Sequence, residues 1–146
     1  MKILHIETSS KNCSVAISDG EKILCLCEEI SENYKQSESL HTFIEWALEG
    51  AEIALKDLDA VSLGKGPGSY TGLRIGVSAA KGLCFALGIP LIAVDTLQVL
   101  ASQVNVTEGL IIPMIDARRM EVYSAIFNPK FDKKREILAE IIDQNS

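Results

Sequence analysis

GKGPGSYTGLRIG, residues Gly64–Gly76, sets five glycines and a proline into thirteen residues and then turns apolar. Glycine-rich loops ahead of helices often cradle phosphate, because free backbone amides converge there. The two best-defined patterns both fail. A Walker loop ends in Gly-Lys followed by Ser or Thr; here Lys65 precedes most of the glycines, and Leu73 and Arg74 follow Gly72. A dinucleotide fingerprint, G-x-G-x-x-G, meets Ser69 when read from Gly64 and Thr71 when read from Gly66. What is left for an anion is the generic pull of a helix N-terminus, with Ser69, Thr71 and Arg74 as the side chains at hand. The competing reading is structural, since glycines permit positive φ and close approach of backbones. The spacing favours it: Gly72, Gly76 and Ala80 recur every four residues, with Ala79 and Gly82 near the same side of a helix.

That helix reads from Gly72 to Leu87 and stops at Gly88 and Pro90. Asp59–Leu63 ahead of the loop is a short buried strand, Leu91–Val94 is another, and Thr96 opens a third helix through about Gln103. Upstream, Ile3–Glu7 and Cys13–Ser18 read as strands, and Asp19-Gly20 turns the chain back into Lys22–Glu28. Gln36–Leu55 changes period: Leu40, Phe43, Ile44, Ala47, Leu48, Ala51 and Leu55 follow helical spacing, and Ser37 or Ser39 is placed to cap the start. The order is β-β-β-α-β-α-β-α. After polar Asn105–Gly109 come strands at Leu110–Asp116 and Glu121–Phe127, then an amphipathic stretch at Lys134–Ile142 that reads as a helix. Two strands and one helix do not close a core. One domain over 1–105 and the opening of a second over 106–146 are therefore expected.

With 146 residues, 47% of them hydrophobic, the chain can bury one good core. Its net charge of −6 makes it a poor binder of nucleic acid by itself, because few counterions would be released at phosphates. The first residues, MKILHIETSS, turn polar too soon for a signal peptide, and no apolar run is long enough to cross a membrane. Cys13, Cys25, Cys27 and Cys84 have neither redox nor zinc spacing, so buried reduced thiols in the cytoplasm are expected. His5 and His41 form no metal pair, Ser69 lacks a nucleophile elbow, and Glu7 at a strand end serves equally as a cleft residue or a solvated acid. The residues assign no catalytic group and no metal ligand.

Four segments together resemble a known family: Ile3–Ser9 (ILHIETS), Gln36–Leu40 (QSESL), the glycine loop with Ala80-Lys81-Gly82, and Ile115–Tyr123 (IDARRMEVY). They are similar to TsaB (YeaZ), the bacterial subunit of the machinery that makes threonylcarbamoyladenosine in tRNA. The resemblance implies an α/β fold of the actin, Hsp70 and sugar-kinase type with a mixed sheet, followed by the start of a second, similar domain. It implies that ATP, metal and carbamoyl-transfer chemistry sit on the TsaD paralogue, and that this chain carries no cofactor. TsaD-like chains have Cys-Asp-Glu after the first strand and a helical histidine pair; here Ser10-Lys11-Asn12 follow and no such pair exists. Family members usually run well beyond this length, so the second domain is expected to be incomplete.

The resemblance also implies partners: TsaD as a heterodimer, TsaE in the larger assembly, a homodimer when TsaD is absent, and tRNA only through the complex. Pairing is expected through the first two helices, Gln36–Leu55 and Gly72–Leu87. On the first, Trp46 and Ile53 fall opposite the apolar face, with Thr42, Glu49 and Gly50 around them. An outward tryptophan is a natural contact. On the second, Gly72, Gly76, Ala79 and Ala80 leave room for a neighbouring backbone. The competing functions are an ATP-dependent kinase or carbamoyltransferase of the same fold and, more remotely, a peptidase.

Overall fold

The computed structural model describes residues 1–30 and 36–143. They fall into two compact units: 1–65 with 69–94, and 66–68 with the chain from 95 onward.

The first unit contains strands β1 (Lys2–Glu7), β2 (Asn12–Asp19), β3 (Lys22–Ile30), β4 (Ala60–Gly64) and β5 (Leu91–Val94), with helices α1 (Gln36–Gly50) and α2 (Tyr70–Leu87). The sheet order is β3-β2-β1-β4-β5. β1, β2 and β3 pair antiparallel, whereas β4 lies parallel to both β1 and β5, so the sheet is mixed. Gly20, at φ 59°, makes the turn between β2 and β3. Period-two alternation aims Leu4 and Ile6, Cys13, Val15 and Ile17, and Val61 and Leu63 into one core, where Leu40, Phe43, Ile44, Ala47 and Leu48 of α1 meet them.

Helix α1 ends five residues earlier than its apolar spacing predicts. The amide of Ala51 still reaches Ala47, but Glu52 takes φ 56° and the amide of Ile53 turns back to Leu48. Ile53 thereby packs against the core rather than standing beside Trp46 on a helix surface, and Leu55 is left exposed in a single 3₁₀ turn, Leu55–Asp57. Burying Ile53 competes with continuing the helix, and wins. Ser39 lies inside the first turn rather than at the cap; the position before the helix and the side chain of Ser37 fall outside the described residues.

His5 projects on the opposite side of β1 from Leu4 and Ile6, and its Nε2 is hydrogen-bonded to the buried Ser18 hydroxyl at 2.9 Å. Burial lowers the imidazole pKa from its ordinary 6.5. A depressed folded-state value means that the unfolded chain takes up the proton first. Stability present above about pH 6.5 is therefore lost as pH falls toward the folded pKa. His5→Gln is expected to flatten the decline of Tm between about pH 7 and pH 5. Thermal melts with the same slope in both proteins would show that this imidazole does not drive the decline.

The second unit contains helix α3 (Thr96–Ser102) and the antiparallel sheet β6-β7-β8, with β6 at Met114–Arg118, β7 at Glu121–Phe127 and β8 at Lys133–Ile141. Leu97 and Ala101 of α3 pack with Ile111, Ala125 and Phe127. The Lys133 ammonium meets the Asp95 carboxylate at 3.0 Å. Strand β6 starts later than the sequence reading has it. Pro113 supplies no amide to a ladder, and Ile111 makes only an isolated bridge to Phe127.

The larger correction is β8, which the sequence reading makes a helix. KKREILAE is a good helix former by itself, but the free edge of β7 offers a ladder from Glu121–Ile141 to Phe127–Lys133. In that ladder Arg135 donates to Glu140 and to the Ser124 hydroxyl, which in turn donates to Glu140 at 2.9 Å. Pairing with a neighbour overrides local preference.

Candidate partner-binding surface

The glycine loop connects by close contact. A Cβ on Gly64 would strike the Glu7 carboxyl group, whose carbon lies 2.7 Å from that position. Glu7 is neither a bare cleft acid nor fully solvated: it is half-buried, and its Oε1 accepts the amide of Ser9 at 2.7 Å. Gly66 sits at φ 97° ahead of a cis Gly66–Pro67 bond, with its amide and carbonyl both held by Thr96.

Ser69 caps α2, its hydroxyl accepting the amide of Gly72 at 3.3 Å, and its own amide donates to Ser9 at 2.6 Å. Arg74 lies over the Tyr70 ring at 5.4 Å. Of the three anion candidates, Ser69 is engaged as a cap, Thr71 is exposed, and Arg74 stacks on Tyr70 farther along the helix.

The small-residue row faces inward. Gly72, Gly76 and Ala80 are the buried residues of α2. The buried Thr8 hydroxyl donates to the carbonyl of Gly72 at 2.7 Å, and a Cβ on Gly76 would meet that hydroxyl and Leu63. These three residues serve the core of their own unit, which corrects their placement on a partner surface. Ala79 is different. It lines a groove of about 600 Å³ between the two helices, with His41 of α1 and Arg74, Ile75, Ser78, Gly82 and Leu83 of α2. Outside that lining, Phe85 is 93% exposed and, seven residues on from Ser78, falls on the same side of α2, and Tyr70 is 74% exposed beside Arg74.

On α1, Glu49 and Gly50 are exposed and Thr42 is half-buried. The bare Cα of Gly50 lies against β3, where a Cβ would come within 2.6 Å of Cys25 Sγ. Trp46 is 55% exposed but lies about 140° around the helix from His41, on the flank beside β3. The two helices thus present two separate surfaces. Sequence reasoning missed Phe85, yet a signal was present: the helical wheel that gathers Gly72, Gly76 and Ala80 puts Phe85 opposite Gly76.

The cysteines are all free; Cys13 is buried and the other three are half-buried. Burial, and then the Glu29 charge, push the Cys13 thiol up. Among the described residues no cluster of three or more His, Cys, Asp or Glu is placed to hold a metal. No helix among them is long and apolar enough to cross a membrane.

Residues 28–145 match the family model described as TsaD, tRNA N6-adenosine threonylcarbamoyltransferase. The tRNA threonylcarbamoyladenosine biosynthesis protein TsaB of Bacillus subtilis is 35% identical over 99% of this chain and 62% of its own length. The protein of that name from Escherichia coli is 34% identical over 86% of this chain and 54% of its own. YeaZ from Pseudomonas aeruginosa superposes with a TM-score of 0.82 at 28% identity, over 97% of this chain and 67% of that one. The chain belongs to the TsaB (YeaZ) family. Its fold is of the actin, Hsp70 and sugar-kinase type, and it spans less than two thirds of the length of these curated TsaB relatives.

Proposed function

We propose that this chain is a non-catalytic accessory subunit in threonylcarbamoyladenosine modification of tRNA. It pairs with the TsaD paralogue through the outer face of α1 and α2. The observation that carries the pairing surface is Phe85, almost wholly in solvent on the side of α2 that also carries Ser78 and Gly82 of an apolar groove between two helices. Ile75, Ala79 and Leu83 give that groove an apolar floor, and His41 and Arg74 give it polar edges. A helix pair of the partner fills such a groove ridge into groove. ATP, metal and the transfer chemistry belong to TsaD, with TsaE as a further partner of the assembly. With TsaD absent, the same face pairs two copies. The net charge of −6 fits a subunit that meets tRNA only through the complex, in the cytoplasm.

Phe85→Glu tests this. Its Tm should stay at the wild-type value, because the ring makes little contact with its own chain, while affinity for TsaD from the same genome falls at least about 30-fold, as for a hot spot. Sedimentation or calorimetry reads the loss. Wild-type affinity in Phe85→Glu, with loss instead in Trp46→Glu, would move the surface to the other flank of α1.

A further inference from the structure

Helices α1 and α2 carry opposite charges. Arg74 and Lys81 are the only charged residues of α2, although the chain as a whole has a net charge of −6. Helix α1 contains glutamates and neither lysine nor arginine. We propose that the outer face of the two helices pairs with a second copy of the chain so that α1 of each lies over α2 of the other, and that Glu45 and Glu49 against the other copy's Arg74 and Lys81 select this arrangement. The inference rests on the pairing surface proposed above and adds its geometry and the residues that set it.

The placement follows from the helical wheel and from the sheet. Spacings of seven and eleven residues put Lys81 and Phe85 on the same side of α2 as Arg74, opposite the buried Gly72, Gly76 and Ala80. Glu45 and Glu49, one turn apart, point away from Leu40 and Ala47 of the core. All four charged side chains are exposed, and among the described residues none of them takes part in an ion pair. Like charges one turn apart weaken a helix by themselves, so a cation from outside is what the two carboxylates lack. Strands β3, β1, β4 and β5 all run the same way. Helix α1, returning from β3 to β4, and helix α2, returning from β4 to β5, therefore lie side by side and run in one direction. Two such helix pairs meet face to face about a two-fold axis in one of two ways. An axis across the helices sets α1 on α1 and α2 on α2, which opposes like charges at both contacts. An axis along them sets α1 on α2 twice over, with opposite charges at both. Interfacial charges of this kind fix register and reject the wrong arrangement, while Phe85 and the apolar groove supply the buried area.

Sedimentation of the full chain by itself, at low ionic strength, reads the pairing. Reversing one row, by Glu45→Lys with Glu49→Lys or by Arg74→Glu with Lys81→Glu, leaves like charges at both contacts and should weaken self-association at least about tenfold. Reversing both rows in one chain should restore the wild-type constant. A mixture of the two double variants should pair more tightly than either does by itself. Circular dichroism should match the wild type throughout, because all four side chains are exposed. Double variants that associate like the wild type would overturn the charge pairing, and so would a mixture no tighter than its components or a doubly reversed chain that folds and stays weak. A wild-type chain that remains monomeric yet binds TsaD would overturn the second-copy arrangement and leave the pairing surface standing, which Phe85→Glu tests separately.

Discussion

Gly76→Ala is expected to destabilise the chain severely, although alanine is the better helix former. The added methyl would fall on the Thr8 hydroxyl and 3.1 Å from Leu63 Cδ1. Both neighbours are anchored, Thr8 by its buried hydrogen bond to the Gly72 carbonyl and Leu63 by the packing of β4. Either α2 moves off the sheet or Thr8 rotates and leaves its own buried hydroxyl without a partner. Overpacking of this kind costs about 1–3 kcal/mol, and a buried polar group left without its partner costs about 1–3 kcal/mol more. Against a whole-domain stability of roughly 5–15 kcal/mol, the loss is large. Gly82 on the same helix supplies the contrast, because a Cβ there meets nothing within 4 Å. Gly82→Ala should therefore gain about 0.5–1 kcal/mol from helix propensity alone. Urea unfolding of the two variants checks both signs. Equal stability in Gly76→Ala and wild type would show that the close approach of α2 to β1 carries no weight.

Phe127→Ala is expected to cost about 3–5 kcal/mol, the range for deleting a buried aromatic ring. Phe127 is 1% exposed and packs with Leu97, Ala101, Ile111 and Ala125, which together form the small core of the second unit. Its backbone is also bound at both N–H and C=O by Ile111, so the ring cannot be replaced by a simple shift of the strand. Amide exchange along β7 and α3 should accelerate far more than exchange along β1 and β4. A loss below about 1 kcal/mol would mean that the site collapses around the gap and that this core is not held by the ring.

Much of the first unit was legible in the residues because its signals are local. Asp19-Gly20 needs no distant partner to make a turn, and alternation along Ile3–Glu7 or Cys13–Ser18 is a property of the strand itself. Helix α2 ends before a glycine and a proline, so its end at Leu87 was legible, whereas its start, read at Gly72, lies at Tyr70 because Ser69 caps it. The glycine loop posed a question that sequence could narrow but not close. Failed spacing removed the known phosphate motifs. Only the coordinates of Glu7 and Thr8, far away in the chain, show what Gly64 and Gly76 make room for.

The sequence by itself determined the α/β element order of the first unit and the inward face of α1, since both rest on residue type and short-range period, and four motif segments carried the resemblance to the family. Tertiary structure alone decided the rest. Lys133–Ile141 became a strand because β7 had an unpaired edge, and α1 stopped at Gly50 because Ile53 could reach the core. Phe85 and Trp46 ended on separate surfaces because α2 covers one flank of α1 and β3 the other. In each case the deciding energy lies between residues distant in sequence, where propensity and period carry no information.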